Sequence, residues 1–286
     1  IGDGESGTRA VAVVNRIFGD GHGNDIFGIE TNGDKSDLYL NYSVSDIELI
    51  YTGDDGGLVV TGSSENDTLS ARLHGDGNIV FRGTDSSVIT LGKEGTTGKD
   101  LNSYTGITRV EGGSILFAAN NAFGKSEVIV SDGATVDLAG FEQTVPTLNA
   151  QGDGALEGDG TYILGPTEEG SVQDLESVIF GSNTEFTGTI QLTGGHHLTM
   201  NQADGLGNGS DVVFTDENDV LTLAGAKGDL LTTLSSSGAG SEGTLVLSDK
   251  SNVNLVQNNS GFDGHFELGA GTQLSANETD LLDLGQ

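Results

Sequence analysis

Cysteine is absent from the 286-residue chain, so no disulfide can stabilise its fold. A protein that must stay unfolded while it crosses a periplasm gains from this absence, although many cytosolic proteins also lack cysteine. Proline is scarce, with 2 residues, whereas glycine reaches 47. Because the glycines show no three-residue period and have little proline beside them, collagen is excluded and many tight turns are expected.

Basic residues are also few, since 11 Lys and Arg oppose 43 Asp and Glu and the formal net charge is −32. Such a surface repels phosphate backbones and anionic headgroups, which argues against nucleic acid and bare membranes as partners. Acidic faces also keep a strand-rich protein soluble and discourage edge-to-edge association. Solvation is therefore the favoured interpretation of the charge, with cation binding as the alternative.

Long apolar runs are missing as well, and none approaches the roughly 20 residues of a membrane-spanning helix. The sequence opens at Ile1 without a basic region or a cleavage signature, so any signal peptide is expected to lie outside it. Its last residues, 281–286, resemble an interrupted strand. This ending predicts that the sequence is a fragment of a longer chain.

Short alternating patterns, in which every second residue is apolar, run through most of the chain. Examples are Val136 with Leu138, Ile190 with Leu192, and Leu245 with Leu247. This period of two is expected for strands that bury one face. Because each run is short, it suits one side of a narrow coil better than a wide sandwich. The best helical segment, 171–180, is brief and ends in β-favouring residues, so little or no helix is expected.

Three segments begin alike, with an aromatic residue, one intervening residue and a glycine, at 104–106, 186–188 and 262–264. The first two copies then run in parallel over 104–140 and 186–225. A long-period repeat of strands and glycine turns is typical of a solenoid, in which each coil buries its apolar side on its neighbours.

The copies start about 80 residues apart, so each is expected to fill about four coils of roughly 20 residues, and the whole chain about fourteen. Residues 1–286 are thus predicted to form a single rod. Residues 1–100 are expected to be its less regular coils, and residues 101–286 its repeat-bearing coils.

The repeated string resembles the passenger-associated repeat of bacterial autotransporters, the AIDA-like adhesin family. The first copy matches it at Tyr104, Thr105, Gly106, Gly112, Gly113, Gly124, Val128, Val130, Gly133, Ala134, Thr135, Leu138 and Gly140. The second copy matches at Phe186, Thr187, Gly188, Gly194, Gly195, Gly207, Val213, Leu223 and Gly225, and the third, from Phe262, keeps only its first half.

In that family the passenger is a right-handed, three-sided parallel β-helix that is exported through its own C-terminal outer-membrane barrel and displayed on the cell surface. The resemblance implies that this chain is an all-β portion of such a passenger, without the barrel, at the bacterial cell surface. It does not indicate what the passenger binds.

Catalytic motifs are not apparent. The string GDGESG at 2–7 lacks the Asp-Ser-Gly order of protease passengers, and no G-x-S-x-G occurs, so Ser6 is interpreted as a loop serine. Acidic pairs such as Asp54-Asp55 and Asp216-Glu217 stand without the basic partners that a site acting on polysaccharide would need. We expect no enzymatic activity, and a β-helix enzyme acting on polysaccharide is the alternative.

Metal and cofactor sites are not expected either. His196 and His197 are adjacent, so on a strand they point to opposite faces and cannot share one metal ion. The segment 19–28 resembles one copy of the calcium-binding nonapeptide of RTX proteins, which makes Asp20, Asn24 and Asp25 an alternative calcium site. A calcium roll needs consecutive copies, and because only one is present a turn is favoured.

Binding is assigned to the acidic connection 166–186, which is expected to bulge from the rod, since loops on rigid scaffolds often carry function. Its candidate residues are Glu168, Glu169, Asp174 and Glu176. The function expected is adhesion through the sides of the rod, either to an identical passenger on a neighbouring cell or to a host matrix protein or glycan. A passive stalk that displays another domain is a further alternative.

Overall fold

The computed structural model describes residues 28–31, 38–41, 45–51, 57–97, 101–167 and 175–276, and every regular element in them is a β-strand. The first two strands, β1 (Gly28–Thr31) and β2 (Leu38–Asn41), pair antiparallel as a separate ribbon. Every later pairing is parallel and joins strands of successive coils. Within the described residues there is no helix long and apolar enough to cross a membrane.

Each coil crosses three faces in a fixed order, so the molecule is a three-sided parallel β-solenoid. The first face is one ten-stranded sheet that runs the length of the described coils. Its strands are β4 (Leu58–Thr61), β7 (Ile79–Arg82), β9 (Ile107–Val110), β11 (Glu127–Val130), β14 (Leu148–Ala150), β17 (Glu176–Ile179), β19 (His197–Met200), β21 (Val220–Ala224), β24 (Thr244–Ser248) and β26 (His265–Leu268).

The other two faces alternate between regular strands and irregular crossings. The second face holds β5 (Asp67–Leu69), β8 (Val88–Leu91), β10 (Gly113–Phe117), β12 (Ala134–Asp137) and β15 (Leu156–Glu157), then β22 (Lys227–Leu230), β25 (Asn252–Leu255) and β27 (Gln273–Ala276). The third face holds β3 (Asp46–Leu49), β6 (Arg72–Gly75), β13 (Glu142–Val145), β16 (Thr161–Leu164), β18 (Thr189–Leu192), β20 (Asp211–Phe214) and β23 (Thr233–Ser236).

The all-β solenoid predicted from the repeat is therefore confirmed, and the described residues complete about ten coils. At the parallel-strand spacing of about 4.8 Å, ten coils span about 45 Å. Two coils are longer than the rest. Asn149 and Val178, which bond between neighbouring coils, lie 29 positions apart in the sequence, whereas Asn102 and Ala122 lie only 20 apart. In both cases the additional sequence lies between described segments, after β8 in the first coil and between β16 and β17 in the second.

Side chains that point inward stack into columns along the axis of the solenoid. One column of the first face runs Leu58, Ile79, Thr108, Val128, Leu148, Ser177, Leu198, Leu221, Leu245 and Phe266. Fully burying an aliphatic or aromatic side chain contributes about 1.5–3 kcal/mol, so each coil is stabilised chiefly by the two coils it contacts. Thr108 and Ser177 are the polar exceptions in this column, and both are buried.

The aromatic residue that opens each repeat is buried in the core, and the next coil places a glycine against it. A Cβ added at Gly124 would lie 2.9 Å from the Tyr104 carbonyl oxygen, and one at Gly207 would lie 2.4 Å from that of Phe186. Backbone bonds confirm the contact, because the amides of Lys125 and Gly207 donate to those carbonyls at 2.9 Å. Glycine therefore recurs there because no side chain fits.

The repeat copies do not start on the same face. The segment ending at Tyr104 pairs with β6 on the third face, and the segment ending at Phe262 pairs there with β23. Phe186, by contrast, bridges to Gly158 on the second face. The structure refines the expectation of about four coils per copy: the first two copies are three and two-thirds coils apart, and the next two are three and one-third apart.

Candidate functional site

The residues predicted in the acidic connection are only partly described. Glu168, Glu169 and Asp174 lie outside the described residues, as do Asp20, Asn24 and Asp25 of the alternative calcium site. Glu176 opens β17 with an exposed side chain and pairs in register with His197. Because β17 belongs to the ten-stranded sheet and Phe186 is fully buried, the part of the connection from Glu176 onward is built into the rod.

The two adjacent histidines face opposite sides, as the sequence predicted. His196 is fully buried at a corner, with Nε2 2.8 Å from the Ser177 hydroxyl, whereas His197 is half-buried on the outer side of β19. No described residue offers a hydrogen-bond partner to Nδ1 of His196. Burial, with a smaller contribution from His197, lowers the pKa of His196 to about 4. His196 is therefore neutral at physiological pH and acts as part of the core.

Asp219 is the buried carboxylate nearest to this corner, and it closes turns rather than forming a reactive site. Its Oδ1 accepts the amides of Gly195 and His196, and its Oδ2 accepts those of Thr215 and Asp216, at 2.9–3.0 Å. Burial raises the pKa of Asp219, while these four bonds oppose that shift. Because four donors already occupy both oxygens, the carboxylate is a structural acceptor.

A shallow, open depression lies at the corner between the second and third faces, beside Arg72, Lys93 and Asn102. Two of these side chains, Arg72 and Asn102, already have partners within the fold. Asn102 accepts the amide of Leu73 and donates to the carbonyl of Ala122, and Arg72 lies 3.4 Å from Asp46. This depression is therefore a weak candidate for a binding site.

The outer side of the first face carries an exposed aromatic ring with amides on both sides. Phe180 follows β17 and has 37% of its surface exposed. Gln151, which is exposed, and Asn201, which is half-buried, occupy the same outer position on the preceding and following coils. The amide of Phe180 donates to the Ala150 carbonyl at 3.0 Å, so the strand ladder fixes its backbone. We call Gln151, Phe180 and Asn201 the platform.

Carboxylates border the platform along the corner between the first and second faces. Asp132 and Asp153 are exposed and Asp204 is half-buried. Ser182 connects two of them, since its amide donates to Asp153 and its hydroxyl to Asp204, both at 2.8 Å. We call Asp132, Asp153 and Asp204 the acidic edge. Within the described residues no three His, Asp or Glu side chains converge as a metal site would require, so the edge is a row rather than a cage.

The charge around this surface is of one sign. No Lys or Arg occurs between residues 126 and 226, a stretch that holds 17 of the 43 acidic residues. The sequence of these coils therefore supplies no basic side chain to neutralise the acidic edge. An extended surface with one aromatic ring, two amide side chains and a row of three carboxylates is suited to binding an elongated ligand of neutral or positive charge.

The platform is not apparent in the sequence, because the inward Ser177 interrupts the apolar alternation of β17. Inward Ser177 and Ile179 leave Val178 and Phe180 on the outer face, but an inward serine breaks the apolar pattern. The one available signal was the position of Phe180 directly before Gly181 and Ser182, where a strand ends and a corner begins. That signal alone did not show which way the ring points.

Comparisons with known proteins identify relatives of unknown function. No family model matches the chain, and no solved structure matches it either. The chain is 27% identical over 222 residues to the uncharacterized lipoprotein YdeK of Escherichia coli strain K12, which covers 73% of this chain and 16% of that protein. It is 28% identical over 155 residues to the uncharacterized protein YuaQ of the same strain, which covers 50% of this chain and 11% of that protein. The chain thus spans less than a fifth of either relative.

Proposed function

We propose that this chain is a rod segment of a bacterial cell-surface adhesin of the autotransporter passenger type, which binds through the side faces of its solenoid. The observation that carries the proposal is the platform with its acidic edge, an exposed aromatic and polar surface held by a ten-stranded sheet. Binding residues on a rigid scaffold lose little conformational entropy on contact, which suits adhesion by many weak bonds.

The cell envelope or surface is the location that this function requires. The similarity to a protein named as a lipoprotein supports it, since lipidation anchors a protein to a membrane. The glycine-rich, cysteine-free repeats and their resemblance to passenger repeats support export in an unfolded form. Contact with an identical rod, or with a host matrix protein or glycan, is the activity proposed.

The test uses the purified 286-residue chain in two assays. Light scattering measures self-association, and a solid-phase assay measures binding to immobilised matrix proteins and polysaccharides. We expect association in at least one assay. Self-association that strengthens with NaCl or Ca²⁺ indicates contact between like-charged rods, because salt screens their repulsion. Binding to a matrix component without such an effect indicates a host ligand. If the chain stays monomeric and binds none of the immobilised components, the result contradicts the proposal and indicates a passive stalk.

A further inference from the structure

Phe180 is an exposed large hydrophobic residue, and the structure describes the strands that precede and follow it in the sheet. Three other exposed large hydrophobics, Ile50, Tyr51 and Leu268, lie near segments outside the described residues. Phe180 instead has described coils before and after it, and the residue still has 37% of its surface exposed. A single exposed apolar side chain is ordinary on a protein surface, so the case for a site rests on Phe180 together with the amides and carboxylates around it.

We propose that the platform and the acidic edge bind a linear polysaccharide of amino sugars that carries free, positively charged amino groups. This inference rests on the proposed adhesin function and names the class of ligand. The acidic edge supplies the charge complementarity, and the platform supplies the contact with the sugar rings.

The platform matches the two surfaces of a pyranose sugar. The flat side of the ring, formed by C–H groups, packs on an aromatic face, and a nearby ammonium group is attracted by the same face. Gln151 and Asn201 flank that position with amides that donate to and accept from hydroxyl groups. Asn201 already uses Oδ1 to accept the amide of Gly181 at 3.0 Å, which holds the side chain in place and leaves its NH₂ group for a ligand.

The acidic edge selects the sign of the ligand's charge. Asp132 and Asp153 are exposed beside the platform, and no Lys or Arg occurs between residues 126 and 226. An anionic polysaccharide is repelled by this surface, whereas ammonium groups gain an attraction from every carboxylate within about 8–10 Å. Because the carboxylates form a row instead of converging, the arrangement suits a chain of separate cations better than one ion.

The direction of the edge fits a polymer that lies along the rod. Asp153 and Asp204 lie on coils on either side of Ser182, and coils stack at about 4.8 Å. The rise per sugar of an extended β-linked chain is close to this spacing, so successive sugars meet successive coils. A lysine-rich peptide offers the same charge but no sugar face to pack on Phe180, and it serves as a comparison below.

The experiment measures binding of the purified chain to fluorescent, partly deacetylated chitin oligomers by anisotropy. Fully acetylated chitin oligomers, polygalacturonate and oligolysine are compared as neutral, anionic and peptide ligands. We expect the deacetylated oligomer to bind best, with an affinity that falls as NaCl rises. Phe180→Ala should weaken it about tenfold. The double variant Asp132→Asn with Asp153→Asn should weaken it several-fold and flatten the salt dependence.

Two control variants test whether the effects are local. Val246→Ala removes an outward apolar group from the same face, and Asp263→Asn removes an exposed carboxylate far from the platform. Both should bind like the unmodified chain. Circular dichroism and thermal midpoints should be unchanged in every variant. Asp132 and Phe180 are surface residues, and the amide side chain that replaces the carboxylate of Asp153 keeps an oxygen that accepts from the Ser182 amide.

Three results would overturn the inference: binding that Phe180→Ala leaves unchanged, equal binding of oligolysine, and preference for polygalacturonate. These results do not contradict the adhesin function if the rods still associate with each other or bind another matrix component. The opposite outcome is also informative. If the purified chain binds the amino-sugar oligomer but cells that display the chain adhere no better than cells without it, the site is supported and the adhesin function is contradicted.

Discussion

Two tyrosines in the core differ in what surrounds their hydroxyl groups. Tyr104 is fully buried with its hydroxyl 2.7 Å from that of Thr108, which lies 2.7 Å from the hydroxyl of Ser126. Burial raises the pKa of Tyr104 to about 12. Tyr162 is equally buried, but no described residue offers its hydroxyl a partner. The same chemical group is therefore stabilising at one position and costly at the other.

The substitution Tyr→Phe should accordingly have opposite effects at the two positions. Tyr104→Phe loses a buried hydrogen bond and should lower the free energy of unfolding by about 1 kcal/mol. Tyr162→Phe removes an unpaired buried hydroxyl and should leave stability unchanged or raise it by about 1 kcal/mol. Urea denaturation of both variants at pH 7 checks the pair. Equal losses at the two positions would contradict this account of the core.

His196 should make the rod sensitive to mild acid. Its folded pKa of about 4 lies below the value of about 6.5 in an unfolded chain, so between these values the unfolded state binds more protons. The contribution is fully present above pH 6.5 and is lost as the pH falls toward 4, by up to about 3 kcal/mol.

The measurement compares unfolding free energies of the unmodified chain and His196→Asn from pH 7 to pH 4, because only the difference isolates one histidine among 43 acidic residues. The difference in unfolding free energy between the two proteins should change across this pH range. The control His265→Asn, at an exposed position, should follow the unmodified chain. Parallel curves for all three proteins would show that His196 keeps no unusual protonation state.

At the scale of single strands and corners, asparagine side chains connect neighbouring coils. Asn183 is fully buried, accepts the amide of Leu156 at 3.0 Å and donates to the carbonyl of Gly205 at 2.9 Å, so one side chain joins three coils. The second face has no regular strand at this level, and Asn183 pairs backbone groups that a strand ladder would otherwise pair.

Asn183→Ala should therefore destabilise the rod by about 2–3 kcal/mol, because it leaves a buried donor and a buried acceptor without partners. Asn149→Ala is the matched control: Asn149 is half-buried and makes one 3.3 Å bond to the amide of Val178, so a loss below about 1 kcal/mol is expected. Thermal unfolding of both variants gives the comparison. Similar losses would show that burial at this corner does not matter.

These elements also show where sequence patterns are sufficient. Strands such as β12 and β18 were predicted because inward Val136 and Ile190 alternate with polar residues. The face on which each repeat copy starts was not predictable, because it depends on the summed numbers of residues between successive strands, such as β16 and β17. The platform was missed for a related reason: the direction of Phe180 depends on the register of β17 against β14, which a single sequence does not encode locally.

For the whole molecule, the uneven distribution of charge is the dominant electrostatic feature. Acidic residues stack on successive coils of the second face, where Asp137 pairs in register with Glu157 and Glu185 follows on the next coil. Burial raises the pKa of Glu157, and the charges of Asp137 and Glu185 add to the shift. Like charges at coil spacing oppose stacking, so the core must offset this repulsion.

Raising NaCl from about 20 mM to about 500 mM should thus raise the thermal midpoint by a few degrees, because screening weakens repulsion between coils. CaCl₂ at equal ionic strength should act no more strongly if screening is the cause. A much larger effect of Ca²⁺ would indicate specific binding, and a midpoint that falls with NaCl would contradict the repulsion account.

The one-face offset between repeat copies also governs how rods meet. Copies one and three open on the third face and copy two on the second, so identical motifs point in two azimuthal directions. The opening aromatic residues are buried, so a partner would meet only the outward side chains of each copy, and these do not lie along a single line down the rod. Several rods would instead splay around a common ligand, and an assembly built on the motif would branch in three dimensions rather than grow as a flat ribbon.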